Sequence, residues 1–130
     1  MRAVVIMLAV LFAASPVVSE TRELSHGARE LGRIIVRELT VREGKVVFRA
    51  DSNGCTDRSS FSVDVVKEEG FATRSPHYRL TIERIRGDEC KAMVWDGILI
   101  EIDLEKELGL MGTYTVSVEN PVFPKSGSAQ

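Results

Sequence analysis

Strict two-residue alternation of apolar side chains constrains this chain more than any other feature. Ile98, Ile100, Ile102 and Leu104 alternate with Leu99, Glu101 and Asp103. Tyr78, Leu80 and Ile82 alternate with His77, Arg79, Thr81 and Glu83, and Phe61, Val63 and Val65 alternate with Ser60, Ser62 and Asp64. A strand sends successive side chains to opposite faces, so each run reads as a strand with one face buried. Tyr114, Val116 and Val118 make another, closed by Asn120-Pro121, where proline cannot donate a ladder bond. Ile34 to Val41 and Lys45 to Ala50 are less regular and meet at a Glu43-Gly44 turn. Ile85 breaks the alternation after Ile82 and predicts a bulge or a strand end near Arg84. Lys91 to Trp95 fits a short edge segment, and Glu105 to Leu108 fits one helical turn stopped by Gly109.

Nothing in the chain supplies the long crossover helices that parallel α/β sheets need. The expected fold is all-β: a small antiparallel β-sandwich, immunoglobulin-like or similar, with six to seven strands and little helix. Its common core is expected from Phe61, Val63, Val65, Leu80, Ile82, Ile98, Ile100, Ile102, Val116 and Val118. The immunoglobulin cysteine pattern is not met, because Cys55 and Cys90 fall in turn-like segments and Trp95 follows both.

The N-terminus adds a compartment. Arg2 precedes an unbroken apolar run from Ala3 to Ala14, and Val17 and Ser19 fit a small-residue cleavage site before Glu20. Residues 1–19 are therefore expected to be a signal peptide, and the protein to be secreted or periplasmic, with no stable membrane insertion once it is removed. Residues 20–32 read as a short helix or flexible lead-in, since Leu24, Ala28 and Leu31 recur at near-helical spacing. Residues 33–120 read as a single β domain and 121–130 as a flexible tail. In an oxidising compartment the two cysteines are expected to pair. Cys55 precedes Phe61 and Cys90 follows Ile85, so an antiparallel ribbon of those strands brings both to one end.

Charge excludes one class of partner. The formal net charge is −2 and becomes −3 without Arg2, and basic residues interleave with acidic ones at Arg33 to Glu43 and Arg79 to Glu89. A nucleic-acid binder needs a concentrated basic footprint, so nucleic acid is not an expected partner.

No motif assigns catalytic residues, a metal or a cofactor. Asp51, Asn53 and Asp57 echo the opening of a calcium loop, but Thr56 stands where glycine is needed and Ser62 where the closing glutamate belongs. An Asx-rich turn explains them as well. His26 and His77 are the only histidines and have no partner at zinc-binding spacing. A hydrolase would have to recruit Ser59, Ser60 or Ser62 with His77 and Asp64, without a nucleophile elbow. Glu68-Glu69 and Asp88-Glu89 offer paired carboxylates at strand ends, where solvated charge is ordinary.

Phe71 and Trp95 are the candidate binding residues. Phe71 lies in the long Lys67–Pro76 connection, where a purely solvated loop needs no aromatic. Trp95, beside Met93 and Val94, suits either a core anchor or, because Asp96-Gly97 follows at once, an exposed tip. The expected function is noncatalytic binding of a protein, peptide or glycan. The alternatives are a structural or accessory subunit that associates through a sheet edge and, behind both, a small hydrolase.

Overall fold

The computed structural model describes residues 24–25, 27–69 and 74–123. Eight strands are present among them: β1 (Leu24–Ser25), β2 (Gly32–Ile34), β3 (Glu38–Arg42), β4 (Lys45–Ala50), β5 (Phe61–Glu68), β6 (His77–Arg84), β7 (Ile98–Asp103) and β8 (Thr115–Val118). One turn of 3-10 helix, Arg58–Ser60, precedes β5. The first sheet runs β1-β2-β6-β5, with β8 also paired to β6, and the second runs β3-β4-β7. The result is a mostly antiparallel two-sheet sandwich, as the alternation predicts. It has one strand more than expected, and two of its pairings, β1–β2 and β6–β8, are parallel.

Pairing register explains the interior. Leu39, Phe48 and Ile100 lie across one another in the second sheet, as do Val41, Val46 and Ile102. Val63 faces Ile82 and Val65 faces Leu80 in the first. Except for the exposed Val41, these rows meet in one core, with Phe48 and Phe61 edge-to-face at 5.3 Å between ring centres. Phe61, Leu80, Ile82, Ile100 and Ile102 are buried as expected, and Val63, Val65, Ile98, Val116 and Val118 pack against them partly buried. Ile34, Val36, Val46, Phe48, Ala50, Leu104 and Leu110 complete the core and lie outside the expected set.

The irregular Ile34–Val41 run is a change of sheet. β2 ends at Ile34 in the first sheet and β3 begins at Glu38 in the second. Between them Val36 is wholly buried and bridges Val122. The Glu43-Gly44 hairpin turn has positive φ at both residues, 51° and 71°. That is the type I′ geometry that matches strand twist.

The described part of residues 20–32 holds β1 and the start of β2 instead of a helix, because sheet pairing supplies bonds that an isolated turn lacks. At the other end, residues 121–123 are docked: Val36 N–H donates to Pro121 C=O at 3.0 Å, and Phe123 N–H to Val36 C=O at 2.7 Å.

Two short strands share one edge of β6. β8 lies beside residues 77–80 and β2 beside residues 83–84. Asn120 is buried in the join, where its side chain substitutes for a strand's backbone. Its Oδ1 accepts from Ile82 N–H at 2.7 Å, and its Nδ2 donates to the carbonyls of Ile82 at 2.8 Å and Ile34 at 2.9 Å.

Candidate functional site

The alternation that buries Leu80 and Ile82 also buries Arg84, the next inward position on β6. β6 ends there, and Ile85 turns out to solvent. The guanidinium lies 4.7 Å from the centre of the Phe61 ring, within cation–π range. Its amino groups donate to Thr56 Oγ1 at 3.1 Å and to the Asp51 carbonyl at 2.7 Å. Its Nε has no acceptor. Burial lowers the Arg84 pKa, against the opposing pull of Asp88 and Asp51.

Asp88 sits at the centre of this pole and is 2 % exposed. Its Oδ2 accepts four hydrogen bonds, from Thr56 Oγ1 (2.7 Å), Asn53 N–H (2.8 Å), Ser52 Oγ (3.0 Å) and Cys55 N–H (3.0 Å). Its Oδ1 accepts from Cys90 N–H at 3.1 Å. Burial alone would raise its pKa, but the donors Thr56, Asn53, Cys55 and Ser52 outweigh burial and hold it well below the usual carboxylate range. The turn 52–56 thus wraps around a buried anion. Gly54, at φ 107°, makes the wrap feasible: a Cβ there would stand 2.8 Å from that of Ala92. Cys55 and Cys90 are joined by a disulfide with Cα atoms 5.7 Å apart. The two sulfurs lie near the Asp88 carboxylate, but they are bonded to each other and offer no thiolate pair to a metal.

Residues 91–95 leave this knot as a segment without regular structure. The expected edge strand is not formed, because the run's contact with 51–54 is a single-point one, Ala92 N–H to Asn53 C=O at 2.9 Å. Arginines from the second-sheet side brace it further along. Arg37 donates to the Trp95 carbonyl at 2.6 Å and pairs with Asp51 Oδ1 at 2.5 Å. Arg49 reaches the Asp96 carbonyl at 3.4 Å, and Gly97 N–H closes a turn onto Val94 C=O. The backbone is therefore held while the side chains stand out: Trp95 is 75 % exposed and Met93 is 72 % exposed. The core-anchor role weighed for Trp95 does not apply. Beside the rim lies an open groove of about 520 Å³, bounded by residues 27–29, Arg37, 51–53 and 90–95. That volume lies within the range of ligand-binding clefts.

Phe71, the other candidate binding residue, lies outside the described residues, as does His26.

Of the candidate hydrolase group, Ser59 and Ser60 are engaged with Asp57 and not with His77. Ser60 Oγ is buried and accepts from Asp57 N–H, and Ser59 Oγ donates to Asp57. His77 faces β8 instead, with Nδ1 2.8 Å from Thr115 Oγ1 and Nε2 3.0 Å from Ser117 Oγ. Glu68 lies 3.8 Å from that same Nε2. Ser117 and Glu68 thus meet the same ring nitrogen, whereas a serine–histidine–carboxylate triad places them on opposite ones. This His–Ser contact depends on parallel β6–β8 pairing, which no local sequence signal announced. Asp51, Asn53 and Asp57 turn to three different partners: Arg37, the Asp88 carbonyl and Arg86. In the Asp88-Glu89 pair one carboxylate is buried and the other exposed.

Among the described residues no helix is long and apolar enough to cross a membrane. No family model, curated protein or solved structure matches the chain.

Proposed function

We propose that this domain is a noncatalytic binding module working outside the cytoplasm, and that it meets a protein, peptide or glycan through the Trp95 rim. The observation that carries this reading is an exposed Trp95–Met93 pair on a segment whose backbone is tied down by Arg37, Asn53 and the disulfide-linked knot. Large aromatics left in water on a braced support cost little order on binding and bury much area. The disulfide and the signal-like N-terminus together support export. N-terminal sequencing of protein recovered from the cell envelope or the medium is expected to begin at Glu20. A chain retaining Met1 would remove the export reading.

A photo-crosslinking side chain introduced at position 95 tests the surface, with position 66 as control. Val66 is also exposed but lies on the outer face of the first sheet. Adducts from position 95 and none from position 66 are expected in the native compartment. Equal yields at both positions, or none at 95, would sink the reading.

A second reading, assembly through a sheet edge, has one observation behind it. β5 is eight residues long and ends its sheet among the described strands. Exposed Asp64 and Lys67 on that strand are the kind of charge that discourages edge pairing.

A further inference from the structure

We infer that the groove beside Trp95 takes an acidic peptide segment of a protein partner, with an apolar side chain set against Trp95 and Met93. This rests on the binding-module reading and adds the chemistry of the ligand. The lining carries Arg29, Arg37 and Lys91 against a single carboxylate, Asp51. Asp51 is already paired with Arg37, so Arg29 and Lys91 are the unbalanced charges of the lining. Both of those side chains are exposed. Asp88 lies beneath, with both oxygens taken by protein donors and Arg84 close by. The chain as a whole is acidic, at −2, so this groove runs against the charge of the molecule that carries it. A ligand of opposite sign to the lining is attracted to the groove, which favours correct encounter.

The apolar members point to a peptide over a sugar. Trp, Met and Arg are the side chains enriched in the cores of protein interfaces, and Trp and Arg dominate binding hot spots. Met adapts its shape to varied apolar side chains. Trp95 and Met93, two residues apart and both exposed, line the groove along with Arg29 and Lys91. That combination fits a segment that carries acidic and apolar residues in turn.

Trp95 is the only tryptophan in the chain and serves as its own reporter. The full mature protein is used to select from a phage-displayed random dodecapeptide library. Enriched sequences are expected to be net acidic with at least one aromatic or aliphatic residue. A synthetic peptide of the enriched sequence should shift Trp95 emission to shorter wavelength. Its affinity should fall about tenfold when salt rises from roughly 50 to 500 mM, as screening removes charge attraction. Arg29→Glu and Lys91→Glu should each weaken it at least about tenfold, with unchanged circular dichroism. Enrichment of neutral or basic sequences, or no enrichment, overturns the inference. So does a hexameric oligogalacturonate that shifts Trp95 emission while the selected peptides do not. Crosslinks at position 95 to a native partner in any of those cases would leave the binding surface standing and discard only its proposed ligand.

Discussion

Residues 51–57 and 84–90 are densely bonded to one another, whereas residues 91–95, their direct continuation, are held at a few points. In the first region a buried carboxylate collects five donors, a buried arginine stacks on Phe61, and a disulfide closes the ends. In the second, a few backbone bonds hold the chain while Trp95 and Met93 face water. The knot spends the Asp88 carboxylate and its five donors on order. The rim does the reverse. A rigid base beside an unsatisfied surface is what preorganised recognition requires.

Removing the Asp88 carboxylate should break the comparison most severely. Asp88→Ala leaves the N–H and O–H donors of Ser52, Asn53, Cys55, Thr56 and Cys90 without their acceptor and the buried Arg84 without a neighbouring negative charge, and should destabilise the domain by about 3–5 kcal/mol in urea denaturation followed by circular dichroism. Tryptophan emission would be a poor probe here, since Trp95 is already exposed. The same carboxylate sets the acid limit. Its folded pKa lies below its unfolded value of about 3.9, so the unfolded chain binds more protons and stability rises with pH. The contribution is complete above about pH 5 and is lost as pH falls from there through the depressed folded pKa. Asp88→Asn should flatten that part of the stability–pH curve; an unchanged acid limb would mean that other carboxylates govern it.

Next in size is the disulfide. It closes a separation of 35 residues, for which the chain-entropy model gives about 4 kcal/mol. Because Asp88 links the same segments by hydrogen bonds, Cys55→Ser with Cys90→Ser should cost roughly 2–4 kcal/mol and leave a folded sandwich. A double variant that fails to fold at all would show that the hydrogen-bonded knot cannot stand alone.

Asn120→Ala probes a second buried polar group, away from the knot. It orphans the N–H and C=O of Ile82 and the C=O of Ile34, and should cost about 2–3 kcal/mol in the same denaturation experiment. Asp in its place can accept from Ile82 but cannot donate to the two carbonyls, so Asn120→Asp should be no better than alanine.

The smallest effect is expected at the rim. Trp95→Ala should change stability by less than about 0.5 kcal/mol, because the side chain is mostly in water, while abolishing capture of any ligand that uses this surface. A loss of stability comparable with the Asn120 variant would show that the indole supports the fold and would erase the distinction between knot and rim.

Much of the sandwich was legible because period two is a local signal. Ile100 and Ile102 on β7, or Leu80 and Ile82 on β6, declare a buried face whatever their partner strand turns out to be. The disulfide was legible too, since the β5–β6 ribbon carries both cysteines to one end. The strand end near Arg84 is legible from Ile85, but the burial of Arg84 is not: it holds the inward parity and is buried because Thr56, Asp51 and Phe61 meet it. The sheet change at residues 35–37 looked like a poor strand because two half-strands of different sheets were read as one.

What the sequence by itself determined is the set of faces that must leave water and the pair of thiols that would meet, since both follow from residue type and spacing along the chain. Tertiary structure alone decided which side of the fold Trp95 occupies, that Asp88 gathers the 52–56 turn about itself, and that Asn120 bridges two strands far apart in sequence. The physical reason is range. Burial of an alternating face is nearly indifferent to which partner covers it. A hydrogen bond or a charge in a dry interior has meaning only between two particular atoms, and their meeting depends on every turn between them.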